Sequence, residues 1–217
     1  MKITVNKNAK TVPTNFSWKF GVGNDHAFQL HRRDVCDHVK LVHDELGMKY
    51  LRFHGIFDDD MPCFQRLSDY KPFAAVPFSD KIDEINFKQI ADVFDNVLAC
   101  GMKPFVELSF MPGALASGKK TGIRYLNNIT RPKSMDKWVD FIKKFIKFLS
   151  EYYGSEEIES WYFEVSTKNS SCSARRFTAD SDLSATAAYL NRTSGHLKFF
   201  LDYTKAGSSC PKAAIST

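Results

Sequence analysis

The sequence lacks the features that would assign it to a membrane or to the secretory pathway. Its first 13 residues, MKITVNKNAKTVP, contain no apolar core of the kind that a signal peptide needs. No apolar run in the 217 residues is long enough to cross a bilayer. The five cysteines are an odd number without close spacing, which favours reduced thiols over disulfides. We therefore expect a cytoplasmic protein with no membrane partner.

Two further absences narrow the class of protein. The net charge of +5 is spread along the chain and forms no basic stripe, so nucleic acid is not an expected partner. No glycine-rich phosphate-binding pattern follows any of the predicted strands, which disfavours a dinucleotide-binding sheet. Accordingly, no cofactor is expected.

Glutamate and tryptophan are both missing from the last 52 residues. Residues 166–217 contain seven Lys or Arg, three Asp and sixteen Ser or Thr, whereas residues 1–165 carry 23 basic and 22 acidic side chains. Low hydrophobicity leaves such a tail little apolar surface to offset the entropy lost on ordering. We expect residues 166–217 to be disordered in part, with a short helix near 183–190.

The first 165 residues repeat one unit, a helix followed by a glycine and a short β-rich run. Apolar residues at helical spacing end at Gly47, Gly101 and Gly154, and Asp34 is the expected N-cap of the first helix. Strands are predicted at 18–23, 49–54, 104–109 and 160–165. Recurring βα units predict an α/β fold of the (β/α)8 TIM-barrel type. A complete barrel needs roughly 250 residues, so about four units are predicted, and no fifth strand is visible in the tail.

Charged side chains occur on one face of the predicted strands. By strand alternation, Arg52 and His54 share a face, and Glu107 and Glu164 take the equivalent positions on the next two strands. Unpaired buried charge is costly, so these residues should pair. The two glutamates fit a structural ion-pair layer as well as a functional role. Arg52 and His54 lie nearer the carboxyl end of their strand, where barrel active sites are built.

The loops after the strands leave alternatives open. His54 with Asp58, Asp59 and Asp60 has the ligand types of a metal site, but three consecutive aspartates cannot all face one ion, and a solvated loop is favoured. His26 is either a contact at the rim of a site or an ordinary loop histidine. Phe110 is either a platform for a ligand ring or a core residue.

Three strings, RFHGIFDDDM, GMKPFVELSFMP and WYFEV, closely resemble glycoside hydrolase family 39 in their order and spacing. This family contains β-xylosidases and α-L-iduronidases. The resemblance covers roughly residues 14–165 and implies a (β/α)8 barrel that cleaves O-glycosyl bonds with retention of configuration. It implies an oligosaccharide or small glycoside as substrate, bound by His54, His26 and Phe110. Arg52, Glu107 and Glu164 would support the site, without a metal.

The sequence departs from the family where the acid/base glutamate is expected. After the fourth strand the family reads Trp-Asn-Glu-Pro, and the same register here reads Ser166-Thr167-Lys168-Asn169. Retaining hydrolysis needs two carboxyl groups. Lys168 replaces one of them, and Glu164 lies about 13 Å back along the strand. The strand that would carry the nucleophile is not found in these 217 residues, so we expect the chain to be β-xylosidase-like but inactive.

The predicted organisation is therefore an N-terminal half-barrel, residues 1–165, followed by a divergent or inserted segment, residues 166–217. The string at 196–206, HLKFFLDYTKA, loosely resembles family sequence beyond the acid/base motif, which would make 166–195 an insertion. Two alternatives to an inactive glycosidase stay open, namely a non-catalytic carbohydrate-binding remnant and a non-functional truncated product. Open barrel edges would favour self-association.

Overall fold

The computed structural model describes residues 13, 15–64, 85–119, 121–122 and 127–165, together with the backbone of strand residues 198–201. These ranges contain five strands and four α-helices. The strands are β1 Gly21–His26, β2 Tyr50–His54, β3 Lys103–Glu107, β4 Tyr162–Val165 and β5 Lys198–Leu201. The helices are α1 Arg33–Leu46, α2 Lys88–Ala99, α3 Met135–Tyr153 and α4 Ser155–Glu159. Short 3-10 segments, Ser17–Phe20 and Ala27–His31, flank β1.

The strands form one parallel sheet in the order β1-β2-β3-β4-β5, with each neighbouring pair in parallel register. This arrangement confirms the predicted α/β class and the partial barrel. The expectation that no strand follows β4 is wrong, because β5 pairs with β4 along four residues, from Tyr162 opposite Lys198 to Val165 opposite Leu201. The sequence KFFL is too short a β-rich run to stand out in a tail of low average hydrophobicity.

The helices end where glycine permits a left-handed backbone. Gly47, Gly101 and Gly154 have φ values of 67°, 83° and 82°, which confirms the three predicted ends. The first helix starts earlier than predicted, because Arg32 is the N-cap residue and Asp34 lies in the first turn. There the Asp34 carboxylate pairs with Arg32 at 2.6 Å and also suits the positive end of the helix dipole.

The core between the sheet and the helices is rich in aromatic residues, as the composition predicts. Phe57 packs edge-on against Phe141 and Phe145 of α3, with ring centroids 4.9 and 5.0 Å apart. Phe94 of α2 meets Trp161 at 5.0 Å. Along β2, Leu51 and Phe53 are buried against this core, while their neighbours on the other face are partly exposed. This alternation directs Arg52 and His54 away from the helices and toward the inside of the partial barrel.

The first strand differs from its prediction in both position and regularity. Residues 17–20 form a 3-10 turn, and β1 runs from Gly21 to His26 instead of from 18 to 23. Its register with β2 shifts near the end: Gly23 lies opposite Arg52, but three residues further on His26 lies opposite His54. One extra residue is thus accommodated in β1, which is the two-against-one arrangement of a β-bulge.

Several sequence predictions concern residues outside the described ranges. These are the short helix near 183–190, the partial disorder of the tail and the proposed insertion at 166–195, and they stay predictions. In the part of the chain that the structure describes, no helix is long and apolar enough to span a membrane.

Candidate functional site

An ion-pair layer crosses the inner face of β2, β3 and β4. Arg52 donates from Nε and Nη2 to the two carboxylate oxygens of Glu164, at 2.6 and 2.8 Å. Its Nη2 also lies 2.6 Å from Oε2 of Glu107. Both glutamates are buried, at 0% and 5% exposure, while a third of the Arg52 side chain remains accessible. The predicted pairing is therefore confirmed.

This layer has a clear physical origin in the sheet. Glu107 and Glu164 lie directly opposite each other on β3 and β4, so two like charges would face each other without a cation between them. The Arg52 guanidinium is planar and presents several donors, so it hydrogen-bonds Glu164 in bidentate fashion while its charge also lies beside Glu107. The same cation therefore lies against both glutamates.

His54 lies one step above the ion pair, at the end of β2. Its side chain is about a quarter exposed, and Nε2 lies 3.6 Å from Oδ1 of Asp25. Its ring packs edge-to-face against Phe110 and His26, with centroids 6.0 and 5.7 Å away. The structure thus brings together the three residues that the sequence proposes as substrate contacts.

Of these three residues, His26 is the least accessible. It is 1% exposed, and its Nε2 lies 2.7 Å from Oδ2 of Asp58. Its Nδ1 accepts a hydrogen bond from the backbone N–H of Phe28 at 3.3 Å, which assigns the proton to Nε2. His26 is therefore buried at the end of β1, opposite His54, and its role as a substrate contact stays a prediction.

Acidic neighbours set the proton affinity of this histidine. Burial alone would lower the pKa of His26, but the hydrogen bond to Asp58 and the charges of Asp60, Asp58 and Asp25 raise it above its usual value. Burial has the opposite effect on a carboxyl group and raises the pKa of Asp58, although the hydrogen bond and charge of His26 act to lower it. Burial also raises the pKa of Asp60. The pair therefore retains its protons to higher pH than isolated groups would.

Gly55, directly after His54, makes room for the His26 ring. Its φ is +76°, and a Cβ at this position would lie 2.2 Å from Nε2 of His26. Its N–H donates to the Ser109 hydroxyl at 3.3 Å. Sequence reasoning missed this role, as it missed the partnership of Asp58 with His26. The signal for Gly55 is present in the His-Gly pair that follows a strand, since glycine there suggests a positive φ or a close approach.

The three consecutive aspartates divide their roles. Asp58 faces His26, whereas Asp59 points toward the next loop and accepts from the Gly113 N–H at 2.9 Å. Asp60 is partly exposed, with Oδ2 3.6 Å from Nδ1 of His26. Asp59 therefore lies apart from the two carboxylates beside His26.

The histidine beside the aspartates is His26 and not His54, so the metal alternative would involve His26. One ligand atom each from His26, Asp58 and Asp60 lies within 4.8 Å of the others, which is a donor set for a cation. However, an ion about 2.1 Å from both Nε2 and Oδ2 would need a ligand angle near 80° at the observed 2.7 Å separation. That angle is far below tetrahedral, which disfavours a four-coordinate zinc ion held by both atoms. The expectation that the site holds no metal stays a prediction.

Phe110 follows β3 and is 6% exposed beside His54. The peptide bond between Ser109 and Phe110 is cis. The segment that follows is held in place by backbone bonds, including Met111 N–H to the Asn128 carbonyl at 3.1 Å. A role for Phe110 as a platform under a ligand ring stays a prediction. Lys168, at the expected acid/base position, lies outside the described residues.

The parallel βα units, and the polar residues at the carboxyl ends of their strands, define a protein of the (β/α)8-barrel class. Its sequence matches that of glycosyl hydrolases family 39 over residues 1–200. The chain therefore belongs to this family, which confirms the resemblance in its sequence.

Individual relatives agree with this assignment. The chain is 41% identical over 166 residues to a β-xylosidase of Caldicellulosiruptor saccharolyticus, covering 76% of this chain and 32% of that protein. It is 36% identical over 152 residues to a β-xylosidase of Geobacillus stearothermophilus, covering 69% and 28%. Among solved structures, a family 39 β-xylosidase from Caulobacter crescentus superposes with a TM-score of 0.73 at 28% identity, covering 88% of this chain and 41% of that one. The chain thus spans about a third of the length of these curated relatives.

Proposed function

We propose that the carboxyl ends of β1, β2 and β3 form the sugar-binding half of a β-xylosidase-like site. The observation that carries this proposal is the position of His54. It is partly exposed directly above a satisfied ion-pair layer, and Phe110 stands beside it. The β-xylosidase names of the relatives supply the sugar class.

Each residue has a distinct role in this proposal. His54 exchanges hydrogen bonds with sugar hydroxyls, since its imidazole offers both a donor and an acceptor. Phe110 presents an apolar edge next to it, which suits the C–H face of a pyranose. Arg52 pairs with Glu107 and Glu164 beneath the sugar and holds them in place, and about a third of its side chain remains accessible.

We further propose that the site binds glycosides without hydrolysing them. Retaining hydrolysis uses two carboxyl groups about 5–5.5 Å apart, one of which protonates the leaving oxygen. At the position that the family gives to this acid, the chain carries Lys168. An ammonium with a usual pKa near 10.4 is a poor proton donor at neutral pH, and Glu164 is committed to Arg52. Carbohydrate binding without catalysis is thus the favoured form of the proposal.

The test is a titration with methyl β-D-xyloside, followed by NMR of the full chain. We expect binding by the wild type and at least tenfold weaker binding by His54→Ala, because a buried polar contact to the sugar is lost. His38→Ala, which changes an exposed histidine of α1, is the matched control and should bind like the wild type. Equal binding by all three proteins, or none by the wild type, would refute the proposed site.

Hydrolysis is tested separately with 4-nitrophenyl β-D-xyloside. The proposal requires that the wild type releases no nitrophenol above the buffer rate. Turnover that disappears in Lys168→Ala would show that the chain is catalytic and that the lysine takes part.

We also propose that copies of this chain associate through the sheet. In the described part of the chain, β1 pairs with β2 alone and β5 with β4 alone, so each has an edge of backbone donors and acceptors. Phe20, beside the lower end of the sheet, is 43% exposed. Light scattering after size-exclusion chromatography should show a mass above 24.7 kDa that falls on dilution. A monomer at every concentration would contradict this proposal.

A further inference from the structure

A buried pair, His26 and Asp58, lies under the exposed histidine of the site. His26 is 1% exposed and Asp58 4%, and their side chains meet at 2.7 Å. The His26 ring also touches His54 edge-to-face, at 5.7 Å between centroids and 83° between planes. The pair therefore contacts the one residue that the proposed function places against the sugar.

The backbone is shaped to make this contact. The bulge near the end of β1 moves the position opposite His54 from Asp25 to His26, because regular pairing onward from Gly23 and Arg52 would have placed Asp25 there. Bulges beside functional sites commonly re-aim a side chain in this way. Gly55 then leaves the space that the ring occupies, since a Cβ would lie 2.2 Å from its Nε2.

We infer that His26, held by Asp58, is a positioning residue that fixes the orientation of His54. This inference rests on the proposed function for its consequence, because a misplaced His54 would bind the sugar poorly. The Asp58 carboxylate keeps the proton of His26 on Nε2, and the Phe28 N–H occupies Nδ1. The ring cannot rotate without losing both bonds, so its face against His54 is fixed.

Protonation of His26 therefore acts on His54. The charged and titratable groups that face the pair are Asp25 on β1, His54 on β2, and Asp58, Asp59 and Asp60 in the loop after β2. Protonation adds a proton at Nδ1, which breaks the bond from the Phe28 N–H and brings a positive charge 3.6 Å from the Asp60 carboxylate, beside the His54 ring. A change in its charge should therefore be visible at His54.

The experiment follows both histidines in the ligand-free protein by NMR of ring-labelled histidine from pH 5 to 9. In the wild type, the His54 resonances should show a second inflection at the midpoint of His26. In Asp58→Asn that inflection should move to lower pH. Asp59→Asn is the matched control, because the neighbouring carboxylate bonds Gly113 and not His26. Its charge also acts on Asp58, so it should shift both titrations by less than Asp58→Asn does. A His54 titration without the His26 midpoint in the wild type overturns the inference, and that measurement needs no variant to fold.

Binding of methyl β-D-xyloside supplies the second readout. At metal sites, removing a partner that orients a ligand residue typically lowers affinity or activity about ten- to a hundredfold. By the same reasoning, we expect Asp58→Asn to bind the xyloside about tenfold more weakly and Asp59→Asn to bind it like the wild type. If Asp58→Asn binds as tightly as the wild type, the positioning role is refuted. If the wild type binds no xyloside while the His26 midpoint still appears at His54, the proposed function fails and the coupling of the two histidines stands.

Discussion

Replacing Arg52 by methionine tests whether the ion-pair layer is part of the folded core. Methionine retains an unbranched stem of similar length, so the substitution removes the guanidinium and few apolar contacts. Glu107 and Glu164, at 0% and 5% exposure, would then face each other without a cation. Breaking a buried ion pair by removing one partner costs about 3–5 kcal/mol.

The accessible third of Arg52 sets the expected value within that range. Water reaching the guanidinium site can partly solvate the two carboxylates in the variant. We therefore expect a loss near the lower end, about 3 kcal/mol in the free energy of unfolding. A domain of this size is typically stable by about 5–15 kcal/mol, so the variant should fold but unfold at clearly lower urea concentration.

The assay is urea unfolding at pH 7, followed by tryptophan fluorescence and circular dichroism. Arg32→Met is the control, because Arg32 also bonds a carboxylate in bidentate fashion, but with both side chains more than half exposed. Such exposed pairs contribute little to stability, because water and salt screen them. A triple variant, Arg52→Met with Glu107→Leu and Glu164→Met, should recover most of the loss, since it removes the orphaned charges.

Two results would refute this reasoning. If Arg52→Met is as stable as Arg32→Met, the layer is solvated and contributes little to the fold. If the triple variant is less stable than Arg52→Met alone, the glutamates stabilise the sheet by some means other than their pairing with the arginine. A change in the dependence of the unfolding free energy on urea would show instead that the denatured state has changed.

Three further predictions concern the upper part of the site and the core. Gly55→Ala should destabilise the chain by about 1 kcal/mol more than Gly47→Ala in urea unfolding. Both glycines have positive φ, but only Gly55 would place a Cβ against His26, so equal losses would contradict the close approach. Folding raises the pKa of His26, so its contribution to stability is complete below its unfolded pKa and is lost as pH rises through the folded pKa. The free energy of unfolding should therefore decline above pH 6.5 in the wild type, and it should decline less in Asp58→Asn. Burial raises the pKa of Cys63 to about 12, so at pH 8 its thiol should react with an aromatic disulfide reagent only after unfolding, as peptide mapping would show.

The ion-pair layer could be predicted from the sequence because it depends on regular geometry alone. Alternation along β2 places Arg52 on the inner face, and parallel pairing carries the same face to Glu107 and Glu164. No turn or long loop enters that argument. The same regularity made the ends of the helices predictable, since each glycine is needed where the backbone turns left-handed.

The upper part of the site could not be predicted, because it depends on irregular backbone. The bulge in β1 places His26, and not Asp25, opposite His54. An alternating sequence pattern does not reveal where a strand contains an extra residue. The choice of Asp58 as the partner of His26 depends on the turn that starts at Gly55, and the two partners are 32 residues apart. The fifth strand was missed for a different reason: its four residues lie in a tail whose average composition argues against ordered structure.

The inner face of the sheet has three layers: an aromatic layer at the lower end, the ion-pair layer in the middle, and the proposed sugar-binding residues at the upper end. The charges of the ion-pair layer are satisfied by residues of β2, β3 and β4 alone. In the lower layer, Phe20 stacks on Tyr50 and contacts Tyr162 at 5.2 Å but is still 43% exposed. Apolar surface gains from any additional cover, whereas a satisfied ion pair gains little. Chains should therefore associate through the lower layer and bind sugar through the upper one. Phe20→Ser should lower the mass in solution and leave the xyloside affinity per chain unaltered.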